Sequence, residues 1–261
     1  MKKIILLIIS IVITGCYNYT EINNLVLVNG IYIDYKDDKY YLKVDIDKTI
    51  NSSGESLSEA FRNFEESISK KAYYAHIKVV IISKEVLTNH FDEVCKYILR
   101  NNEMRNNFYL AVSNDINTIK SNDIKNAIIN NNDVITSSLF KKVLTTYLDN
   151  KEIILPTFNN TNITGAIIKN KKEIRELTID DARIYKIYIN SKPNIVYKNI
   201  NIYHSHVKKT KNNLYIYLDV ELKEKCENNI KKDLKKDLER FLNKKVILNI
   251  DINRNGQIIN E

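Results

Sequence analysis

Glycine and proline are scarce in this sequence of 261 residues, and their scarcity excludes several classes of protein. Five glycines and two prolines are present, too few for a collagen-like, linker-like or typical low-complexity chain. The glycines lie far apart, at positions 15, 30, 54, 165 and 256. No phosphate-binding loop of the G-x-x-x-x-G-K or G-x-G-x-x-G type can be written from them. The sequence therefore excludes nucleotide chemistry that depends on the usual loops.

Motifs of catalysis and of metal binding are missing as well. The sequence has no G-x-S-x-G nucleophile elbow and no H-E-x-x-H zinc motif. His204 and His206 would share one face of a strand. A zinc site needs three or four ligands, however, and no cysteine or acidic residue lies at a telling spacing from them. His90 lies at the start of a predicted helix and is expected to be exposed. We therefore predict no enzyme, no catalytic residue, no metal site and no dissociable cofactor.

Charge of one sign is not concentrated anywhere in the chain. The formal net charge is +8, from 40 basic and 32 acidic side chains. The two signs alternate over short distances, as in the run N-I-K-K-D-L-K-K-D at residues 229–237. A nucleic-acid-binding protein more often has a stripe of one sign with aromatic residues in it, so we predict no nucleic-acid partner. A mild positive excess suits a protein held against an anionic membrane, although a merely solvated surface explains any single run.

The N-terminus has the features of a bacterial lipoprotein signal. A basic M-K-K start precedes the apolar segment 4–13, which is shorter than the roughly 20 residues that a membrane span needs and has the length of a secretory signal. The following I-T-G-C motif resembles a lipobox, in which the Cys16 thiol takes a diacylglyceryl group after cleavage between Gly15 and Cys16. The alternative is a plain cleaved signal with an incidental cysteine. We predict a signal peptide over residues 1–15, a lipidated Cys16 with its tether over 16–24, and membrane anchoring through diacylglycerol and an acyl chain such as palmitate.

The pattern over residues 25–192 predicts alternating strands and helices. Leu25–Asp34 and Tyr40–Ile46 should form a hairpin, and the capping-box spacing of Ser56 and Glu59 begins a helix that we expect to end at Lys70-Lys71. Further strands are predicted at Ile77–Ser83, Phe108–Val112, Ile163–Ile168 and Glu173–Leu177. An apolar stripe from Phe91 to Leu99 predicts a second helix. Further helices are predicted around Asn122 to Asn130 and around Ser138 to Leu148, and a short one is predicted to be capped by Thr178. This succession predicts an α+β (mixed α/β) fold with mixed sheets covered by helices.

A break around residues 191–194 predicts a domain boundary, with a second α+β domain over 193–261. Ile195–Lys208 and Leu214–Leu222 should form a hairpin, and Val246–Ile252 a last strand. Apolar residues spaced by four predict a long helix with one apolar face: Leu222, Cys226, Ile230, Leu234, Leu238 and Leu242. That face either packs on the adjoining sheet, which is the simpler interpretation, or binds a partner. Cys95 and Cys226 fall on apolar helix faces, which predicts buried thiols rather than a disulfide.

Several stretches resemble the C subunits of spore germinant receptors, the Ger(x)C or GerAC-like lipoproteins. The lipobox cysteine is followed by an aromatic segment, then by Glu21-Ile22 and an apolar strand. The strand G-I-Y-I-D at residues 30–34 is similar to the family's G-I-G-I-D strand that ends in an aspartate, here Asp34, with Tyr32 in place of the second glycine. The run H-I-K-V at residues 76–79 is similar to the family's H-x-K-V strand. The stretch R-N-N-E-M-R at residues 100–105 resembles its R-x-x-E-x-R helix end. The residues that carry the resemblance are Glu21, Asp34, His76, Lys78, Arg100, Glu103 and Arg105.

The resemblance implies a non-enzymatic lipoprotein on the outer face of the spore's inner membrane. It implies integral-membrane A and B receptor subunits as partners, membrane lipid as a further contact, and a scaffolding or coupling role in nutrient-triggered germination. Family members are usually longer, so the C-terminal domain would be a shortened one. The charged motif residues would either form a buried salt-bridge network, which we expect, or have an interaction role in binding a ligand. The alternatives from other classes are a solute-binding lipoprotein of a membrane transporter, which predicts two similar lobes, and a surface hydrolase.

Overall fold

The computed structural model describes residues 22–114, 119–131, 134, 138–171, 173–189, 192–198, 200–210, 213–222, 230–254 and 257–260. The strands, in chain order, are β1 (Leu25–Leu27), β2 (Gly30–Lys36), β3 (Lys39–Asp45), β4 (Thr49–Gly54), β5 (Lys71–Tyr73), β6 (Val79–Ile82), β7 (Tyr109–Val112), β8 (Ile153–Asn159), β9 (Asn162–Lys169), β10 (Ile174–Thr178), β11 (Ile195–Tyr197), β12 (Ile200–Lys209), β13 (Leu214–Leu222), β14 (Val246–Arg254) and β15 (Gln257–Asn260). The α-helices are α1 (Leu57–Glu66), α2 (Phe91–Arg100), α3 (Ser121–Asn130), α4 (Phe140–Leu148), α5 (Ile179–Ile189) and α6 (Ile230–Leu242).

A mixed eight-stranded sheet forms the centre of the N-terminal part. Its strand order is β10-β9-β8-β7-β6-β2-β3-β4. The middle strands β2, β6, β7 and β8 run parallel, and antiparallel pairs extend the sheet at both sides. Because parallel strands start at one edge of a sheet and end at the other, the sheet has an amino edge and a carboxyl edge. This mixed sheet, with helices on both faces, confirms the predicted α+β fold.

The burial of the strand residues agrees with their hydrophobicity. All four residues of β6 are buried, as expected for an apolar strand in the middle of a sheet covered on both faces. The β2–β3 hairpin is also as predicted, with Asp37 and Asp38 at positive φ in its turn. The predicted strand Leu25–Asp34 is wrong as a single element. It breaks at residues 28–29, so β1 pairs with β5 in a separate two-stranded sheet while β2 enters the large one.

The helix α1 begins where its cap predicts but ends earlier than expected. The Ser56 side chain accepts from the backbone N–H of Glu59 at 3.2 Å, and the Glu59 carboxylate accepts from the N–H of Glu55 at 2.8 Å. The helix stops at Glu66 because the Ser67 hydroxyl donates to the Phe64 carbonyl at 2.6 Å and closes the last turn. The predicted end at Lys70-Lys71 is therefore wrong, and Lys71 instead begins β5.

Two cores lie on opposite faces of the large sheet. The first packs α1, α2 and α4 against alternate strand residues such as Ile31, Ile33 and Val80. The second core packs α3 and α5 against the intervening residues of the same strands, such as Tyr32 and Ile81, whose side chains point to the other face. The helices thus cover both faces with the period-two alternation that strands impose. One expectation for α2 is wrong, since Leu99 lies on its solvent side and is exposed.

A five-stranded sheet in the order β11-β12-β13-β14-β15 forms the C-terminal part. The predicted strand Ile195–Lys208 is wrong as one element, because the chain turns at Lys198, which has positive φ, and makes β11 and β12. The strand at Val246 is present, but it is not the last, since β15 follows it. The helix α6 covers this sheet with Leu234 and Leu238, so its apolar face packs on its own sheet. Leu222 was predicted to lie on the same helix face, but this is wrong, because Leu222 is the last residue of β13 and pairs with Ile200. Cys226 lies outside the described residues.

The helix α5 joins the two parts of the molecule. Its Ala182 and Tyr185 pack in the second core, whereas Ile184 and Ile187 pack in the third core under the five-stranded sheet. In addition, Arg240 of α6 contacts Asp181 at 3.0 Å. The two sheets differ in strand number and in strand order, so the described residues do not form the pair of similar lobes that a solute-binding lipoprotein predicts.

Candidate functional site

Most of the family-motif residues lie at the amino edge of the large sheet. Lys78 directly precedes β6, and its ammonium group donates to the Asn29 side chain at 3.0 Å. Its backbone N–H donates to the Asn29 carbonyl at 2.8 Å, and its carbonyl accepts from the N–H of Tyr109 at 2.9 Å. Lys78 therefore ties together the starts of β2, β6 and β7.

The loops that follow α1 and α2 meet at the same edge. Lys71, just after the α1 loop, forms an ion pair with Glu103 in the α2–β7 loop at 2.7 Å. Arg100 is the last residue of α2, where a cation complements the helix dipole. Arg105 lies in the loop that leads to β7, and His76 lies in a 3₁₀ turn just before β6. The fold thus brings His76, Lys78, Arg100, Glu103 and Arg105 to one end of the molecule.

These motif residues do not form the buried salt-bridge network expected from the sequence. His76, Arg100, Glu103 and Arg105 are exposed, and Lys78 is half-buried. Among the described residues, one ion pair involves a residue of this group, and it joins Glu103 to Lys71. The physical reason is their position, because helix ends and edge loops stay hydrated, whereas burying these charges would cost several kcal/mol for each ion. The expectation of a buried network is wrong.

The first described residues lie at the amino edge. A 3₁₀ turn over Ile22–Asn24 leads directly into β1, and the Lys70 ammonium group donates to the Asn23 carbonyl at 2.6 Å. The pairing of β1 with β5 then continues to Val28, whose N–H donates to the Tyr73 carbonyl at 3.2 Å. Gly15, Cys16 and Glu21 lie outside the described residues. The predicted tether therefore leads into the same end of the molecule that carries the exposed motif residues.

Asp34 is the motif residue that the fold places elsewhere. It lies near the carboxyl edge, it is buried, and its carboxylate accepts from the Tyr35 N–H at 2.9 Å and contacts the Lys36 ammonium group at 2.7 Å. A shallow open cleft of about 470 Å³ lies beside it, with Ser83 and Asn114 in its wall. Because both oxygens of Asp34 have local partners, its position is that of a turn-stabilising side chain at the end of β2.

A histidine and tyrosine cluster beside the β2–β3 hairpin was not predicted. His90 stacks on Tyr35 with ring centroids 3.8 Å apart, and its Nδ1 lies 3.2 Å from the Tyr40 hydroxyl. Tyr40 donates to the Glu93 carboxylate, and burial together with this bond raises the pKa of Tyr40 far above its usual value. His90 is half-buried, so the expected exposure is wrong. No spacing in the sequence connects residues 50 positions apart, and the contact follows from α2 packing beside the hairpin.

His204, His206 and Cys95 form no reactive constellation with other described residues. His204 and His206 lie exposed on β12, and a bulge between Ile202 and His204 interrupts the strand there. His204 contacts Asp219 at 3.2 Å. In the described ranges, no group of three or more histidine, cysteine, aspartate or glutamate side chains could hold a metal ion. Cys95 is buried as predicted, and desolvation raises the pKa of its thiol to about 12.

Within the part of the chain that the structure describes, no helix is both long and apolar enough to cross a bilayer. The sequence model of the spore germination protein N-terminal domain, the GerAC family, matches residues 18–159, which is more than half of the chain. The chain belongs to this family. Its matched region contains the large sheet through β8 together with α1 to α4, and it contains every motif residue at the amino edge. The resemblance drawn from the sequence is confirmed.

Two individual proteins are similar to this GerAC-family chain. YfkR of Bacillus subtilis (strain 168), a candidate spore germination protein, is 27% identical over 133 residues, which cover 43% of this chain. The match spans about a third (35%) of YfkR's own length. The crystal structure of the GerBC protein matches with 13% identity and a TM-score of 0.45, covering 82% of this chain and 80% of that one.

Proposed function

We propose that this GerAC-family chain is the C subunit of a spore nutrient germinant receptor and that spores need it to germinate in response to nutrients. The observation that carries the proposal is the family match over residues 18–159. In this proposal the chain has no catalytic role. It acts as a scaffold or coupling component that works with the integral-membrane A and B subunits of the receptor.

We further propose that Cys16 carries a covalent diacylglyceryl and acyl lipid that holds the chain on the outer face of the spore's inner membrane. The I-T-G-C motif supports this proposal, as does the position of the family match, which begins two residues after the cysteine. One acyl chain binds membranes only marginally, whereas two or more give a stable anchor. The anchor would raise the effective concentration of the folded part near its membrane partners.

The exposed amino-edge residues support an interaction role rather than a purely structural one. Arg100 and Arg105 are solvent-exposed, and Glu103 is engaged in a single surface ion pair. Exposed ion pairs are screened by water and contribute little to stability, so this cluster adds little to the fold. In our proposal it contacts the receptor's other components close to where the chain leaves the membrane.

The experiment that tests the proposed role is germination of spores that lack this chain. Loss of optical density is followed after addition of single amino acids and sugars, with the wild-type chain restored in a parallel strain. We expect a slower or absent response to at least one nutrient, and we expect the restored chain to correct it. Normal germination with every nutrient, in a strain without a paralogue, would contradict the proposed role.

A further inference from the structure

The two-stranded sheet formed by β1 and β5 has one face toward the protein and one face toward the outside. Val26 and Ala72 are register partners that point inward and pack against the first core. Side chains alternate along each strand, so the neighbouring register pairs point outward. The outward residues are Leu25, Leu27, Lys71 and Tyr73. We call these four residues the tether-side face, because the chain enters β1 directly from the predicted tether.

The tether-side face combines apolar, aromatic and basic side chains. Leu27 and Tyr73 are direct register partners, and they are 42% and 37% exposed. Leucine gains free energy by leaving water, and tyrosine is enriched where an apolar phase meets water because one end of its ring is polar. The long stem of Lys71 can lie along an apolar surface while its ammonium group stays hydrated. This composition is typical of a surface at the headgroup level of a membrane.

Four basic residues lie on or beside this face, together with the acidic Glu65 and Glu103. Glu103 pairs with Lys71, but Lys70, Arg100 and Arg105 are exposed on the adjoining loops and helix end. Lys70 lies against the predicted tether itself, since its ammonium group donates to the Asn23 carbonyl. Clustered lysine and arginine side chains near a membrane attract anionic lipids. The charge of the surroundings therefore complements an anionic bilayer.

The length of the tether and the size of the face favour lipid over a protein as the occupant. Eight residues lie between Cys16 and Leu25, and the nine steps from Cys16 to Leu25 reach at most about 30 Å. Two strands of three residues each offer a face of roughly 100 Å², whereas each partner of a stable protein interface contributes about 800 Å². Contact with a lipid surface does not require so large an area, because the proposed anchor already holds the tether-side face near the membrane.

We propose that the tether-side face rests on the anionic surface of the bilayer to which Cys16 is attached, with Leu27 and Tyr73 in the headgroup region. The proposal rests on the proposed lipid anchor. It gives the folded domain a fixed orientation, with the amino edge of the large sheet toward the membrane and the carboxyl edge away from it.

The absence of tryptophan from the chain makes a direct test available. A Tyr73→Trp variant of the full lipoprotein is reconstituted in vesicles of phosphatidylglycerol and phosphatidylethanolamine whose acyl chains carry bromine, which quenches nearby tryptophan. Tyr41→Trp is the matched control, because Tyr41 is 38% exposed but pairs with Asp34 near the opposite edge of the sheet. A Leu27→Trp variant provides a second reporter on the face.

We expect brominated lipid to lower the fluorescence of the Tyr73→Trp and Leu27→Trp variants by about twofold and to leave the Tyr41→Trp variant nearly unchanged. We also expect weaker quenching in uncharged phosphatidylcholine vesicles. If the protein floats with the vesicles but the variants at both edges are quenched equally, or not at all, the proposed orientation is wrong while the lipid anchor stands. The tether-side face would then contact a protein partner instead. Protein that carries no lipid by mass and does not float would contradict the anchor, and this inference with it.

Discussion

At the residue scale, position in the sheet decides what each charged side chain can do. Lys78 is half-buried because it immediately precedes a fully buried strand, and its ammonium group and backbone bonds join three strand starts. Arg100 and Arg105 lie on a helix end and a loop, where they remain hydrated. The first kind of residue stabilises the fold, whereas the second kind is free to contact another molecule.

Replacement of Arg105 by alanine separates these two roles. We expect the Arg105→Ala variant to keep the wild-type free energy of unfolding within about 0.5 kcal/mol, because an exposed side chain without a buried contact contributes little. We expect nutrient-triggered germination to slow nevertheless. Lys39→Ala is the matched control, since Lys39 is an exposed basic residue at the start of β3, beside the hairpin turn at the opposite edge. A marked loss of stability in Arg105→Ala, or equal germination rates for the two variants, would argue against an interaction role.

At the element scale, helices and strands with strong local signals were predicted correctly. Elements whose sequence signals are weak or conflicting were missed. The cap at Ser56 and the apolar stripe of α2 predicted both helices, because each signal is local. The strand β4 was missed because Thr49–Gly54 is mostly polar, which an edge strand tolerates. The strand β8 was missed because Pro156 argues against a central strand. The structure tolerates this proline since β8 pairs with β7 through a single register pair, Val112 with Thr157.

The helix α6 provides a test of packing at this scale. Leu238 is fully buried between α6 and the five-stranded sheet, so Leu238→Ala should lower the free energy of unfolding by about 2–5 kcal/mol through lost contacts and the cavity left behind. Leu148→Ala is the control, because Leu148 at the end of α4 is exposed and its replacement should cost less than about 0.5 kcal/mol. Urea denaturation of both variants measures the difference. Equal costs would show that α6 does not pack as described.

At the scale of the whole molecule, the first and second cores lie on opposite faces of the large sheet, and the second and third cores share the covering helix α5. The arrangement of the charged motif residues could be predicted from the sequence only in part. Their family resemblance was visible in the H-x-K-V and R-x-x-E-x-R runs. Their meeting at one edge was not, because it depends on the parallel order of β2, β6 and β7 and on the ion pair between Lys71 and Glu103. No local pattern encodes a contact between loops 30 residues apart.

Buried Cys95 and two half-buried tyrosines predict loss of stability at alkaline pH. Burial raises the pKa of Cys95, Tyr97 and Tyr147 to about 12. Because the folded protein holds these protons more tightly than the unfolded chain does, this stability is complete below pH 9 and is lost as pH rises from about 9 to 12. We expect Tm to fall by at least about 3 °C between pH 8 and pH 10.5. Circular dichroism measures Tm, and absorbance at 295 nm reports tyrosine ionisation without interference from tryptophan. Ionisation of all tyrosines near pH 10 with an unchanged Tm would contradict the described burial.

In our proposal, this GerAC-family chain serves germination from a membrane to which a lipid on Cys16 attaches it. The most direct measurement compares nutrient-triggered loss of optical density in deletion spores that carry the wild-type chain, a Cys16→Ala variant or a Cys95→Ala variant. Cys95→Ala controls for loss of a thiol, because Cys95 is buried in the first core. We predict that the wild-type chain and Cys95→Ala restore germination and that Cys16→Ala does not. Full restoration by Cys16→Ala, at equal protein abundance, would contradict the account.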